Sequence, residues 1–206
     1  MSKARKRNTI RELLFNVSLP VRIVNLITLY RIVTFPLLIA LLFFGAIDWF
    51  KWFLLASFFT DAIDGTLARR YNATSILGAK LDSIGDDLTV LAGAIGLFVF
   101  EFNFVKEVAP LLITLFGLFL IQLVSALLKY GKVSSFHTYL AKIAAVITGI
   151  FLLSVFFFKD IIYPLFYAAW IVTAIELIEE TALVFLLSRW KANVKGLYWV
   201  LKEKTE

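Results

Sequence analysis

Residues 61–86 read DAIDGTLARRYNATSILGAKLDSIGD, between two stretches dominated by apolar side chains, IDWFKWFLLASFFT (47–60) and LTVLAGAIGLFVF (88–100). At 100° per residue, Asp61, Asp64, Gly65, Ala68 and Arg69 fall on one helical face about 140° wide. Gly78, Asp82 and Asp86 form a stripe about 80° wide on the next helix, and the turn RRYNATS lets the two faces meet. Four carboxylates at one depth repel each other unless protons or cations intervene. Oxygen donors on rigid helices, with no cysteine in the chain and the single His137 elsewhere, point to Mg²⁺ or Mn²⁺ and to a pair of ions. Gly65, Ala68 and Gly78 leave room for a ligand against the helix backbone, although a small residue taken singly equally serves helix packing. Asp87 points about 100° away from Asp86 and is assigned to packing or to the helix surface.

The rest of the 206-residue chain explains why such an array is surprising. Hydrophobic residues make up 61% and charged residues 17%, with 21 Phe, and the mean hydropathy is +0.87. That excludes a disordered chain and a soluble domain of ordinary composition. Segments long enough to cross a bilayer lie near 20–46, 49–69, 75–100, 108–128, 138–158 and 161–187. The expectation is therefore an all-α integral membrane protein, a single multi-pass domain over 1–206 with six transmembrane helices. Residues 20–187 would form the bundle, and 188–206 a cytoplasmic tail. In 1–18, Ile10, Leu13, Leu14 and Val17 oppose a basic stripe of Lys3, Arg7 and Arg11, the pattern of an amphipathic interfacial helix. A basic start before residues 35–46 has the look of a signal peptide, but five further spans follow and the segment is read as retained. Lys and Arg gather before the first span, in alternate turns and at the C-terminus, so both termini are expected in the cytoplasm. The basic surplus, 21 against 15, suits anionic lipid or phosphorylated substrates, and no nucleic-acid partner is expected.

Charge within a span costs several kcal/mol and marks function by default. Arg31, Asp61, Asp64, Asp82, Asp86, Asp87, Lys142, Glu176, Glu179 and Glu180 all fall in the cytoplasmic halves of these spans, whereas 108–128 holds no charge. The simplest account is a polar cavity open to the cytoplasm. Eight fixed residues at these intervals would arise from composition on the order of 10⁻⁸ times per chain.

The segment resembles the signature of the CDP-alcohol phosphotransferase family, Asp-x2-Asp-Gly-x2-Ala-Arg-x8-Gly-x3-Asp-x3-Asp, with every fixed position matched. Asn25, Thr28 and Arg31 also look like a pattern common early in that family's first span. The resemblance implies a CDP-linked donor such as CDP-diacylglycerol, Mg²⁺ or Mn²⁺, release of CMP, a cytoplasmic active site and a homodimer. By position, it implies Asp61, Asp64 and Asp82 as metal ligands, with Asp86 a shared ligand and the catalytic base. Asp61, Gly65, Ala68, Arg69, Gly78 and Asp82 would line the CDP site. The residue chemistry agrees, because pyrophosphate charge can be met by two metals and Arg69, and a nearby carboxylate can accept the acceptor hydroxyl's proton.

The acceptor is a small polar alcohol. VNLITLYRIVTFP (24–36) is similar to phosphatidylglycerophosphate synthases, which makes glycerol 3-phosphate the leading acceptor. Asp87 and SSFHTYLAK (134–142) depart from that pattern, and inositol phosphate, serine or another alcohol stand as alternatives. Candidate acceptor-binding residues are Arg31, Lys129, Lys132, His137 and Lys142. Lys129 and Lys132 also suit plain anchoring at the membrane surface, Lys142 an ion pair with Glu176 or Glu179, and His137 a solvated loop. An ion-coupled transporter is the reading from a different class, weakened by the lack of polar residues in the outer halves and of repeated halves.

Overall fold

A computed structural model of the chain describes residues 19–70, 76–131, 136, 138–158, 160–189 and 194–205. The expected interfacial helix over 1–18, Lys132 and His137 lie outside the described residues. Among those residues the chain is all helix, without strands: α1 Leu19–Phe43, α2 Ile47–Arg70, α3 Ile76–Phe100, α4 Phe102–Glu107, α5 Ala109–Tyr130, α6 Tyr139–Phe157, α7 Tyr163–Leu186 and α8 Leu197–Thr205. The six long helices match the six apolar segments. Two of them, α5 and α6, are long and apolar enough by themselves to cross a membrane, and Leu29–Phe43 is a shorter apolar stretch. Helices α2, α3 and α7 hold the aspartates and glutamates that make their composition mixed.

The chain forms two compact units, Met1–Phe100 and Glu101–Glu206. In the first, α1, α2 and α3 pack on one another. Helix α1 closes in a Schellman turn: Gly45, at φ +64°, donates to Leu42 O and Ala46 donates to Leu41 O. A left-handed conformation is needed there, and glycine adopts it without steric cost. The buried positions recur every three or four residues along each helix: Arg31, Thr34, Leu38 and Leu42 on α1, Phe50, Leu54 and Ser57 on α2, and Thr89, Gly93 and Leu97 on α3. This spacing is that of one inward face per helix. The layers are therefore graded, from Arg31 through the hydroxyls of Thr34, Ser57 and Thr89 to an apolar plug of leucines with Phe50.

The second unit is tied at both ends. At one end Phe104 packs edge-on against Tyr163 and Phe166, with ring centroids 5.7 and 5.1 Å away, and Phe151 completes the cluster. The segment EFNFVKE, which reads in the sequence as a polar turn, contains the short helix α4 because Phe104 and Val105 are buried there. Tyr163 donates to Glu107 Oε2 at 2.8 Å, and Trp170 Nε1 donates to Leu111 O at 2.9 Å. At the other end Ala126, Phe136, Leu183, Val184, Leu187, Val194 and Val200 form a core. The last turn of α7 leaves carbonyls that need donors. Tyr130 OH meets Val184 O and Leu187 O at 3.1 and 2.8 Å, and Lys129 Nζ meets Phe185 O at 3.0 Å.

Glu180, buried on α7, accepts from Gln122 Nε2 at 2.8 Å and from the Phe136 amide at 2.9 Å, joining α5 and the following loop to α7. Glu179 Oε1 accepts from the Leu197 amide at 2.9 Å, so the expected tail ends in a docked helix, α8. Replacing Glu180 by Ala would orphan two buried donors at about 1–3 kcal/mol each. Glu180→Ala is expected to lower the thermal unfolding midpoint in detergent by several degrees. Glu180→Gln, whose amide oxygen can still accept from Phe136 while its NH2 donates to a Gln122 amide turned to present its oxygen, should lose less.

Candidate active site

The aspartate array lies on the two helices expected to hold it. Asp61, Asp64, Gly65, Ala68 and Arg69 are in the last turns of α2, and Gly78, Asp82 and Asp86 in the first turns of α3. The two helices are joined by residues 71–75 and pack on each other, so they run antiparallel. Asp64 precedes the end of α2 by six residues and Asp82 follows the start of α3 by six, each about 9 Å along its helix. Asp61 and Asp86 lie nine and ten residues in, about 14 and 15 Å. The backbone register thus pairs the four aspartates at two matched levels. The side chains of Asp61, Asp64, Gly65, Ala68, Arg69, Gly78 and Asp82, and those of Asn25 and Thr28, lie outside the described residues.

Asp86 is described, and its surroundings are specific. Arg31 on α1, only 1% exposed, forms an ion pair through Nη2 with Asp86 Oδ1. The Asp86 side chain is 44% exposed, so one edge of the carboxylate is held and the rest faces open space. The guanidinium lies flat against α3 at Gly85, where an added Cβ would come within 3.3 Å of Cζ, Nε and Nη2. Gly85 is a site residue that the signature does not include, although it follows Gly78 by seven residues and so shares its stripe. One turn deeper, Thr89 Oγ1 donates to Gly85 O at 2.8 Å. On α2, Thr60 Oγ1 donates to Ala56 O at 2.8 Å. These hydroxyls satisfy themselves on their own helices and mark the floor beneath the carboxylates. Asp87 is exposed, in keeping with its assignment to the helix surface.

Arg31, a candidate for acceptor binding on sequence grounds, has its guanidinium engaged with Asp86 inside the first unit. Lys129 is exposed and tied to the end of α7. Lys142 is exposed, with Nζ 5.6 Å from the Tyr139 ring centroid, and no ion pair to Glu176 or Glu179 forms among the described residues.

Among the described residues no three Asp, Glu or His side chains gather into a metal-binding group. The donor chemistry of the full array nevertheless fits a hard divalent cation. It offers four aspartates whose backbone positions lie at two matched levels on two packed helices, with Arg31 and Arg69 as the nearby cations in the sequence pattern, and Asp86 retains an open edge.

Comparison with known proteins agrees with this arrangement. Residues 21–179 match the model of the CDP-alcohol phosphatidyltransferase family. Over 73 residues the chain is 38% identical to the CDP-diacylglycerol--glycerol-3-phosphate 3-phosphatidyltransferase of Blochmanniella floridana, a stretch that is 34% of this chain and 38% of that relative. The match therefore spans well under half the length of the relative. No solved structure matches the chain. Because the matched region runs from α1 into α7 and takes in the whole aspartate array, the chain belongs to the CDP-alcohol phosphatidyltransferase family.

Proposed function

We propose that this protein is a six-span membrane enzyme of phospholipid biosynthesis, with both termini and the active site on the cytoplasmic side. It transfers the phosphatidyl group of CDP-diacylglycerol to a small polar alcohol and releases CMP. The observation that carries the reading is the complete aspartate signature on two packed helices, with Asp86 anchored by Arg31 and open on its other edge. Glycerol 3-phosphate is the preferred acceptor, supported by the name of the relative from Blochmanniella floridana. The enzyme works as a homodimer, for which the exposed apolar faces of its long helices leave room.

Asp61, Asp64, Asp82 and Asp86 would hold a pair of Mg²⁺ or Mn²⁺ ions, which when bound neutralise pyrophosphate charge and the charge that develops in phosphoryl transfer. Gly65, Ala68 and Gly78 let the CDP moiety approach the helices, and Arg69 adds a positive charge to its phosphates. The acceptor hydroxyl attacks the lipid-side phosphorus and gives its proton to Asp86. One P–O bond forms, the bridging P–O bond breaks, and its electron pair leaves on CMP. Arg31 acts through Asp86, fixing the direction of that carboxylate.

An ion-coupled transporter needs a polar path to the far side of the membrane. In the first unit the described inward residues beyond Thr34, Ser57 and Thr89 are apolar, which favours a one-sided cavity. The deciding experiment measures labelled CMP released from CDP-diacylglycerol by the purified protein against a panel of acceptors. Release that depends on glycerol 3-phosphate is expected. No release with any alcohol would overturn the reading. Gly85→Ala places a methyl group against the guanidinium of Arg31, and sub-ångström misplacement of a catalytic group is costly. It is expected to lower kcat about tenfold while leaving the KM for CDP-diacylglycerol nearly unchanged, as read by the same assay.

A further inference from the structure

The C-terminal helix α8 has an exposed face that neither the array nor the family match accounts for. Nine residues are too short for a stable helix in water, so tertiary contacts hold it. Val200 is buried in the core formed by α5, α7 and the loop residue Phe136, and the Leu197 amide bonds to Glu179. The start of α6 is tied to the approach of α8, with the Tyr139 amide donating to Lys195 O at 3.2 Å. The ring of Trp199 packs on Tyr139, with centroids 5.5 Å apart. Tyr139 is the first residue of α6, one of the two strongly apolar candidate spans, and α8 therefore lies level with the end of that span.

On α8 the buried Val200 and half-buried Leu197 share one side. Leu201, Tyr198, Lys202 and Trp199 occupy the remaining arc of about 160°. Tyr198, Trp199 and Leu201 are 68, 40 and 45% exposed. The charge around this face is predominantly basic, with Glu203 as the exposed acid on α8 and Glu179 engaged by the Leu197 amide. Lys129, Lys142, Arg189, Lys195 and Lys202 lie at this end of the second unit, whereas the other end holds Glu101, Lys106, Glu107 and Asp160. Tyrosine and tryptophan beside lysines, level with the end of an apolar helix, have the chemistry of the headgroup layer.

We infer that α8 is an interfacial helix whose Tyr198, Trp199 and Leu201 enter the headgroup region of an anionic cytoplasmic leaflet while Lys195 and Lys202 bind its phosphates. The inference rests on the membrane reading of α5 and α6. The chain has no native cysteine, so single spin labels at Leu201→Cys, Glu203→Cys and Ile150→Cys report depth in the full-length protein. The samples are nanodiscs of phosphatidylcholine with or without phosphatidylglycerol, probed by oxygen and a nickel chelate. Residue 150 is expected deep in lipid, 201 in the headgroup layer and 203 in water. Lys202→Glu should reduce the lipid-inserted population at 201 about fivefold in anionic nanodiscs and little in neutral ones. Equal water exposure of 201 and 203 in both lipids, with 150 still in lipid, would overturn the inference and leave the membrane reading standing. Water exposure of 150 would remove both. Crosslinking of the Leu201→Cys variant to a second copy, independent of lipid composition, would assign the face to a protein partner and overturn the inference.

Discussion

Asp86→Asn is expected to bind CDP-diacylglycerol almost as the parent does and to lose about 10²–10⁴-fold in turnover, the usual contribution of a positioned general base. An amide of the same shape keeps the packing of α3 and can still present an oxygen to Arg31. It has no capacity to take the proton of an attacking hydroxyl. Loss of a shared metal ligand would deepen the defect, so the lower end of the range is a floor. Donor binding is measured separately, by equilibrium binding of labelled CDP-diacylglycerol, and turnover by CMP release. A variant that retained more than about a tenth of parental turnover would remove Asp86 from the role of base. The same assignment requires direct attack in one displacement. On that reading the other aspartates would be committed to cations, the chain has no cysteine, and its one histidine is outside the array's two faces in the sequence pattern. A chiral phosphorothioate donor should therefore give inversion at phosphorus. Net retention would mean two displacements through a covalent intermediate.

Removing divalent cations should have the largest effect of all: activity is expected to fall to background in excess chelator and to return with Mg²⁺ or Mn²⁺. On the proposed reading, four carboxylates at two matched backbone levels in a membrane-embedded site would repel one another strongly, and Arg31 and Arg69 would offset only half of that charge. The donor's pyrophosphate brings further negative charge to the same place. On that reading, neither the array nor the substrate would be accommodated without cations. Ca²⁺ is expected to bind but to support much less than the full rate, because its looser and more variable coordination positions a phosphate less well. Undiminished turnover in chelator, at any donor concentration, would refute a metal-dependent mechanism. Asp61→Asn and Asp64→Asn should weaken cation binding and CDP binding together, as read by titration calorimetry. That joint loss separates them from Asp86→Asn.

Much of this was legible from residue order because it depends on local rules. The long helices end within a few residues of where apolar runs meet polar turns, since a helix satisfies its own backbone along an apolar run and polar residues let the chain turn where it ends. The array was legible for the same reason. Intervals of three and four residues place Asp82 and Asp86, or Asp61 and Gly65, on one face whatever surrounds them.

What depended on distant partners was not legible. The segment 101–107 carries Glu101, Lys106 and Glu107 and reads as a turn, yet it is largely helical, because Phe104 finds the rings of Phe151, Tyr163 and Phe166. Glu179 and Glu180 read as members of a polar site because charge in a span is costly. Their structural roles rest on hydrogen bonds to Leu197, Gln122 and Phe136, residues 18 to 58 positions away. Arg31 shows the division most sharply. Residue order alone dictates that a charge on α1 and an aspartate pattern on α2 and α3 occupy the same halves of their helices, because helical periodicity and the cost of burying charge act within each segment. The meeting of Arg31 with Asp86 arises only in the folded chain, because the contact exists where α1 and α3 approach closely enough at Gly85 for a guanidinium to lie on bare backbone, and no spacing rule connects residues 31 and 86.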